Sequence, residues 1–294
     1  MSYVPETRFH GVVVPMITPF LPEGQIDTPA IGRIVEHLLQ TGAHGIFPLG
    51  TTGEAASIAL RDRRVVVEAT VAAVRGRATV YAGIGGNCFS ESVQAARDYA
   101  ATEGVHAVVA HMPSYYPLSD REIEAYFLRL ADAVPLPLVL YNIPATTHHH
   151  LALSVIDRLR RHGNIVAIKD SANDAARLCQ LLRLCGGRGG FPVLIGSSAH
   201  FASGLRAGAV GIVPSGSHIV GPQYRALFDA AMRDDWPEVE RLQKETDAAV
   251  APYLKGRSLG QGLAALKAML EKKGLCGRTM LPPLQNHEDD GKLE

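Results

Sequence analysis

The sequence predicts an α/β fold: a (β/α)8 TIM barrel followed by a C-terminal helical extension. Two observations carry this. Eight short apolar runs recur along the 294 residues, each nearly continuous rather than alternating. That is the pattern of parallel strands covered on both faces. The spacing between runs leaves room for a helix each time, and parallel neighbours require such crossovers. A chain of roughly 250 residues is typical of one barrel, so the length also allows an addition. An open, doubly wound sheet shares this alternation and is the competing architecture.

The apolar runs occupy 11–20 (GVVVPMITPF), 44–50 (HGIFPLG), 79–85 (TVYAGIG) and 107–113 (AVVAHMP). The remaining four occupy 137–144 (PLVLYNIP), 165–171 (IVAIKDS), 191–197 (FPVLIGS) and 210–216 (VGIVPSG). Between the first two, residues 28–41 place Ile31, Ile34, Val35, Leu38 and Leu39 at helical spacing, with Asp27 or Thr28 as N-cap. A helix over 90–102 is expected through Val93, Ala96 and Tyr99. Over 119–133, Ser119 followed by Glu122 forms a capping-box pattern. After the eighth run, three helical segments near 223–232, 237–250 and 259–273 exceed what one barrel helix needs. The expected organisation is a barrel over 1–220, a helical extension over 221–285 and a polar, frayed tail over 286–294.

Composition narrows the function. Hydrophobic residues make up 47% and charged residues 20%, enough apolar material for a large core and against disorder. Lys+Arg and Asp+Glu are equal at 29 each, so no global basic field invites nucleic acid or an anionic membrane. The opening MSYVPETRFH carries Glu6 and no long apolar stretch, so no signal peptide is expected. No run is long enough to span a membrane. Cys88, Cys179, Cys185 and Cys276 form no CxxC pair and read as reduced thiols of a cytoplasmic protein, with neither a metal site nor a cofactor expected.

Active sites of such barrels lie at the C-terminal ends of the strands. There the chain offers GTTGE at 50–54, PSYYP at 113–117, YNIP at 141–144, KDS at 169–171 and PSG at 214–216. Lys169 stands out because it follows the apolar IVAI of a buried strand. Keeping an amine charged there is costly, and the neutral amine is the form that attacks a carbonyl carbon. The plain alternative is an ion pair with Asp170. Adjacent strand residues point to opposite faces, which makes that pair awkward. Tyr141 reads either as a packed aromatic or as a phenol that moves protons. Thr51 and Thr52, between glycines, read either as turn residues or as hydroxyls and N–H groups that hold a carboxylate.

Other motifs carry less. His148, His149 and His150 are consecutive, so their side chains diverge and do not suit one metal ion; a polar loop is the plain reading, with His148 as a candidate substrate contact. GIGGNC at 83–88 begins like a dinucleotide fingerprint but has Cys88 in its last glycine position and lies at the third strand. GGRGG at 186–190 precedes a strand and lacks the Lys-Ser/Thr of a phosphate loop.

Taken together, PMITPF at 15–20, GTTGE, YNIP, IKD at 168–170, GAVG at 208–211 and LPPL at 281–284 resemble the dihydrodipicolinate synthase / N-acetylneuraminate lyase family of class I aldolases. Each motif is weak alone; their order and spacing make the combination specific. The resemblance implies that Lys169 is the Schiff-base lysine and Tyr141 the phenol that assists imine formation. It implies that Thr51 links this phenol to a second tyrosine, Tyr115, supplied by a neighbouring subunit of a dimer or tetramer. Thr51 and Thr52 would bind the carboxylate of the 2-oxo acid, and the Val213 carbonyl would face the site.

The chain departs from both family branches. Thr146 stands where dihydrodipicolinate synthases place an arginine that grips the second carboxylate of the aldehyde partner. A threonine cannot fork onto a carboxylate as a guanidinium does. Ser198 and Ala199 stand where neuraminate lyases place an acidic pair for sugar hydroxyls. The expected activity is a Schiff-base lyase or aldolase acting on pyruvate or a hydroxylated 2-oxo acid of the 2-oxo-3-deoxy sugar acid type. Thr146 and His148 are candidate substrate contacts, and Ser198, Ser215 and Ser171 are candidates for recognising its hydroxyls. A dehydratase using the same imine, a dihydrodipicolinate synthase and a non-catalytic ligand sensor on the same scaffold are the alternatives.

Overall fold

The computed structural model describes residues 8–288. Eight parallel strands close into a barrel in chain order: β1 (Gly11–Pro15), β2 (Gly45–Phe47), β3 (Thr79–Gly83), β4 (Ala107–His111), β5 (Leu138–Asn142), β6 (Ile165–Asp170), β7 (Val193–Ile195) and β8 (Gly211–Ile212). β8 pairs with β1, Gly11 against Gly211 and Val12 against Ile212, so the sheet has no open edge. An open doubly wound sheet is thereby excluded. Every strand falls inside an expected apolar run and is shorter than it. The surplus residues, such as Met16, Ile17 and Ile84, are buried in the loops that follow the strands.

The helices are α1 (Thr28–Gln40), α2 (Leu60–Val74), α3 (Phe89–Ala100), α4 (Asp120–Ala133), α5 (Pro144–Thr147) and α6 (Leu153–Leu159). They continue with α7 (Ala175–Cys185), α8 (Phe201–Arg206), α9 (Ser217–Met232), α10 (Trp236–Leu254) and α11 (Leu259–Lys272). Asp27 rather than Thr28 caps α1, its Oδ1 accepting from the Ala30 N–H at 3.0 Å. The Ser119–Glu122 capping box forms in full.

α9 starts well before the expected 223. Its backbone kinks at Val220 (φ −128°, ψ 47°), just ahead of Pro222. Proline lacks an N–H and its ring crowds the preceding turn, so the sequence reads as a helix start where the fold has a bend. α9 packs against β1, α1 and α8, in the place of the eighth helix of the ring, while α10 and α11 lie beyond it. Of the tail expected over 286–294, residues 289–294 lie outside the described residues, as does Glu6. Asn286 is held, its Oδ1 accepting from the Met280 N–H at 2.7 Å.

Strand alternation builds two cores. Val108, Ala110, Leu138, Leu140 and Ile168 face the helices. Ala107, Val109, Val139, Tyr141, Ala167, Leu194 and Val213 fill the barrel interior. The period of two therefore sends Lys169, which follows the outward Ile168, into the barrel.

Candidate active site

Lys169 is 6% exposed. Its Nζ lies 3.9 Å from the centroid of the Tyr141 ring and 5.0 Å from that of Phe47. Aromatic faces attract a cation at these distances and hold the amine in place. Tyr141 is the register partner of Lys169 across β5 and β6, so both side chains project inward at one level. Asp170 turns the other way. Its carboxylate accepts from Asn142 Nδ2 at 2.8 Å and pairs with Arg177 at 3.5 Å, so it does not neutralise Lys169.

The neighbouring strand leaves space for this amine. A Cβ at Gly196, just past β7, would stand 1.9 Å from Ser171 Oγ and 3.1 Å from Lys169 Cε. No side chain fits there. Beneath, Lys169 and Val213 share a small hollow with Phe47, Tyr81 and Leu194.

The turn after β2 brings Thr51 to the same place. Its Oγ1 lies 3.4 Å from the Tyr141 hydroxyl. Two non-glycine residues flank the turn in left-handed backbone, Leu49 at φ 59° and Glu54 at φ 54°. Such conformations persist only where surrounding contacts enforce them. Those contacts are visible. Thr18 Oγ1 donates to the Gly53 carbonyl at 2.7 Å. The buried Glu54 carboxylate pairs with Lys267 of α11 and accepts from the Leu281 N–H at 3.0 Å.

A cavity of about 610 Å³ opens over these groups. Phe47, Thr51, Tyr141, Thr146, His111 and Ser114 line it, and Leu259, Leu263 and Leu284 from the C-terminal region wall its far side. Thus Tyr141, Thr51 and Thr146 meet in one cavity, with Lys169 against the Tyr141 ring and Val213 below. Thr52 is half-buried in the same turn but does not line the cavity.

The other residues singled out by sequence lie elsewhere. Tyr115 is 77% exposed and stacks edge-on with Tyr116 at 5.1 Å. His148 is exposed and ends α5 at φ 60°. The Ser198 carbonyl accepts from Gln243 Nε2 at 3.1 Å. Ser215 Oγ meets the Tyr253 hydroxyl at 3.0 Å. None of these four lines the cavity. Among the described residues, no three His, Cys, Asp or Glu side chains converge as a metal ion would need.

Sequence reasoning missed His111, Gly196 and the Glu54–Lys267 pair. His111 left a signal, a histidine closing the apolar run AVVAH. Lys267 left none, because a lysine in a helix ordinarily reads as solvated.

The chain resembles known proteins over nearly its whole length. A model of the dihydrodipicolinate synthetase family matches residues 8–294. The 4-hydroxy-tetrahydrodipicolinate synthase of Symbiobacterium thermophilum is 36% identical over 283 residues, covering 96% of this chain and 94% of that one. The enzyme of the same name from Parasynechococcus marenigrum is 32% identical over 285 residues, covering 97% and 92%. Among solved structures, the dihydrodipicolinate synthase of Bacteroides thetaiotaomicron matches with a TM-score of 0.90 at 29% identity, covering 99% and 98%. A prophage protein of the dihydrodipicolinic acid synthase family from E. coli K12, solved in complex with pyruvate, matches with a TM-score of 0.88 at 25% identity, covering 97% and 95%.

Proposed function

The chain belongs to the dihydrodipicolinate synthetase family, a family of class I lyases, and on that footing we propose that it makes or breaks a carbon–carbon bond through an imine between Lys169 and a 2-oxo acid. The observation that carries this is the inward amine of Lys169 against Tyr141, whose hydroxyl meets Thr51. Nζ attacks the C2 carbonyl, and the carbinolamine loses water to give a protonated imine. In cleavage, the C4 hydroxyl gives up its proton, the C3–C4 bond breaks, its electron pair forms the C2=C3 bond of an enamine and the imine π pair moves onto nitrogen. An aldehyde leaves. The enamine takes a proton at C3, and water releases pyruvate. Addition is the same sequence reversed.

In this reading the Tyr141 phenol carries protons to and from the carbinolamine, and Thr51 orients it. Thr51 and Thr52 hold the 2-oxo acid carboxylate, and the Val213 carbonyl faces the imine. Tyr115, exposed in one copy, reaches the Thr51–Tyr141 pair of a second copy, in a dimer or tetramer. The substrate is a hydroxylated 2-oxo acid, with Thr146 on the cavity wall and His148, Ser198 and Ser215 as outer contacts. The protein works in the cytoplasm; among the described residues, no helix is long and apolar enough to cross a membrane.

Two further readings share the imine. In a dehydratase, the enamine expels hydroxide with a proton instead of an aldehyde. In a 4-hydroxy-tetrahydrodipicolinate synthase, the activity named for the curated relatives, pyruvate condenses with an aldehyde bearing a second carboxylate. Thr146 weighs against the latter, since it offers that carboxylate no charge. A purely ligand-sensing role leaves the inward Lys169 and its phenol unused.

Incubation with pyruvate and borohydride, followed by intact mass and peptide mapping, tests the proposal. A reduced adduct on Lys169 is expected, and Lys169→Arg should give none, because guanidinium stays protonated. Absence of an adduct with pyruvate and with every hydroxylated 2-oxo acid tried overturns the reading.

A further inference from the structure

We propose that His111 is the residue that selects the second half of the substrate: its bare Nε2 accepts a hydrogen bond from a hydroxyl of an uncharged, polyhydroxylated chain. This rests on the imine at Lys169 and adds the chemistry of what extends beyond it.

His111 ends β4 and is the register partner of Tyr141, so the two point into the barrel side by side. It lines the cavity over Lys169 and Tyr141 together with Thr51, Ser114 and Thr146. Its Nδ1 lies 2.8 Å from the Met112 carbonyl oxygen. A carbonyl only accepts, so Nδ1 carries the ring proton and Nε2 keeps a free lone pair. Burial pushes the pKa of His111 down, against a smaller opposing pull from the Met112 carbonyl, which keeps the ring neutral. A glycine packs against it. A Cβ at Gly85 would stand 2.4 Å from His111 Cδ2 and 2.5 Å from Nε2, so any side chain there displaces the imidazole.

The rest of the cavity wall favours the same ligand. Among the described residues that line the cavity there is no arginine or lysine, and its one carboxylate, Glu54, is paired with Lys267. A second carboxylate on the substrate finds no counter-charge, and a neutral imidazole acceptor gives it no donor. Hydroxyls find partners on Thr51, Ser114, Thr146 and His111. An acceptor that is buried when the substrate binds goes unsatisfied if the matching hydroxyl is missing, which is the basis of strong discrimination against the deoxy analogue.

The test measures the half-saturating concentration for borohydride-trapped adduct on Lys169 with three acids: pyruvate, 2-oxohexanoate and a six-carbon 2-oxo-3-deoxy sugar acid. Trapping reads the imine whether the acid is afterwards cleaved or dehydrated. The wild type is expected to favour the sugar acid over 2-oxohexanoate by about 10–100-fold. His111→Leu should bring the two to near parity, with pyruvate trapping as the common reference. His111→Gln, which returns an amide acceptor, should restore part of the preference. If His111→Leu does not fold, His111→Asn, which keeps a donor for Met112 but no acceptor at Nε2, serves in its place. Pyruvate trapping with no preference in the wild type, or with a preference that survives the substitution, overturns the role of His111 alone. No adduct with any acid overturns the imine reading and this inference with it.

Discussion

Lys267 of α11 and Glu54 of the turn that carries Thr51 form an ion pair closed off from solvent. The Lys267 ammonium also donates to the Thr279 carbonyl at 2.8 Å and lies 4.2 Å from the centroid of the Phe20 ring. Burial pushes its pKa down, and the Glu54 carboxylate opposes that shift. A buried pair is a weak source of net stability, because desolvating two ions costs about what their attraction returns. Its effect here is positional. It fastens the Thr51 turn, whose backbone is held at two left-handed residues, to the helices beyond the barrel.

Breaking the pair from one side should be far worse than removing it. Lys267→Met leaves a buried carboxylate without a counter-charge and is expected to cost about 3–5 kcal/mol. Adding Glu54→Gln should recover much of that loss, a coupling that a double-mutant cycle by urea denaturation measures directly. The double variant should still turn over more slowly, because the Thr51 turn is no longer tied at that point. Additive single effects would show that the two residues do not act as a pair.

The Thr51–Tyr141 contact at 3.4 Å orders two substitutions. Tyr141→Phe should slow turnover by about 10²–10⁴-fold if the phenol carries protons. Thr51→Val removes only the hydroxyl that meets this phenol and should cost less. Both should leave the thermal midpoint nearly unchanged. A near-normal rate for Tyr141→Phe removes it from the mechanism.

Gly196→Ala puts a methyl group within van der Waals overlap of Ser171 Oγ and against Lys169 Cε. Overpacking of this kind typically costs about 1–3 kcal/mol. The larger effect should be on the rate of pyruvate adduct formation, since the amine must shift. Pairing it with Ser171→Gly should recover stability first. An unchanged adduct rate in Gly196→Ala counts against a confined amine.

Acid should weaken the fold before most carboxylates titrate. His218 is fully buried; its Nε2 accepts from the Ile17 N–H at 3.3 Å and its Nδ1–H donates to the Ser215 carbonyl at 2.8 Å. Burial pushes its pKa down to about 4. His44, whose Nδ1 accepts from the Val12 N–H at 3.1 Å, is also pushed down to about 4, first by burial and then by Arg225. In the unfolded chain both titrate near 6.5. The unfolded state therefore binds protons first. The stability these rings provide is complete above pH 6.5 and is lost as pH falls toward 4, at up to about 1.4 kcal/mol per pH unit for each fully shifted ring. The urea midpoint should thus drop between pH 6.5 and 5, a window above the carboxylate range. A flat midpoint there contradicts neutral burial of the two rings.

The apolar runs marked all eight strands because a strand covered on both faces must be apolar throughout. Their ends were less legible, since the loops over the barrel mouth are apolar too, as Met16 and Ile17 show. Lys169 and Tyr141 were readable because a lone amine closing an apolar strand has few explanations. His111 was not singled out: one histidine in a strand reads equally as core, and only its place beside Tyr141 distinguishes it. Lys267 looked like any lysine on a helix. Its burial comes from a turn near the other end of the chain.

The sequence by itself determined the α/β alternation, the opposite facing of Lys169 and Asp170 and the set of strand ends at which chemistry could occur. Those follow from local pattern and from the two-residue period of a strand. Tertiary structure decided that the sheet closes, that Thr51 meets Tyr141, that His111 and Gly85 share one wall, and that α11 anchors the Thr51 turn. Each of these is a contact between segments far apart in the chain, fixed by packing rather than by anything a neighbouring residue records.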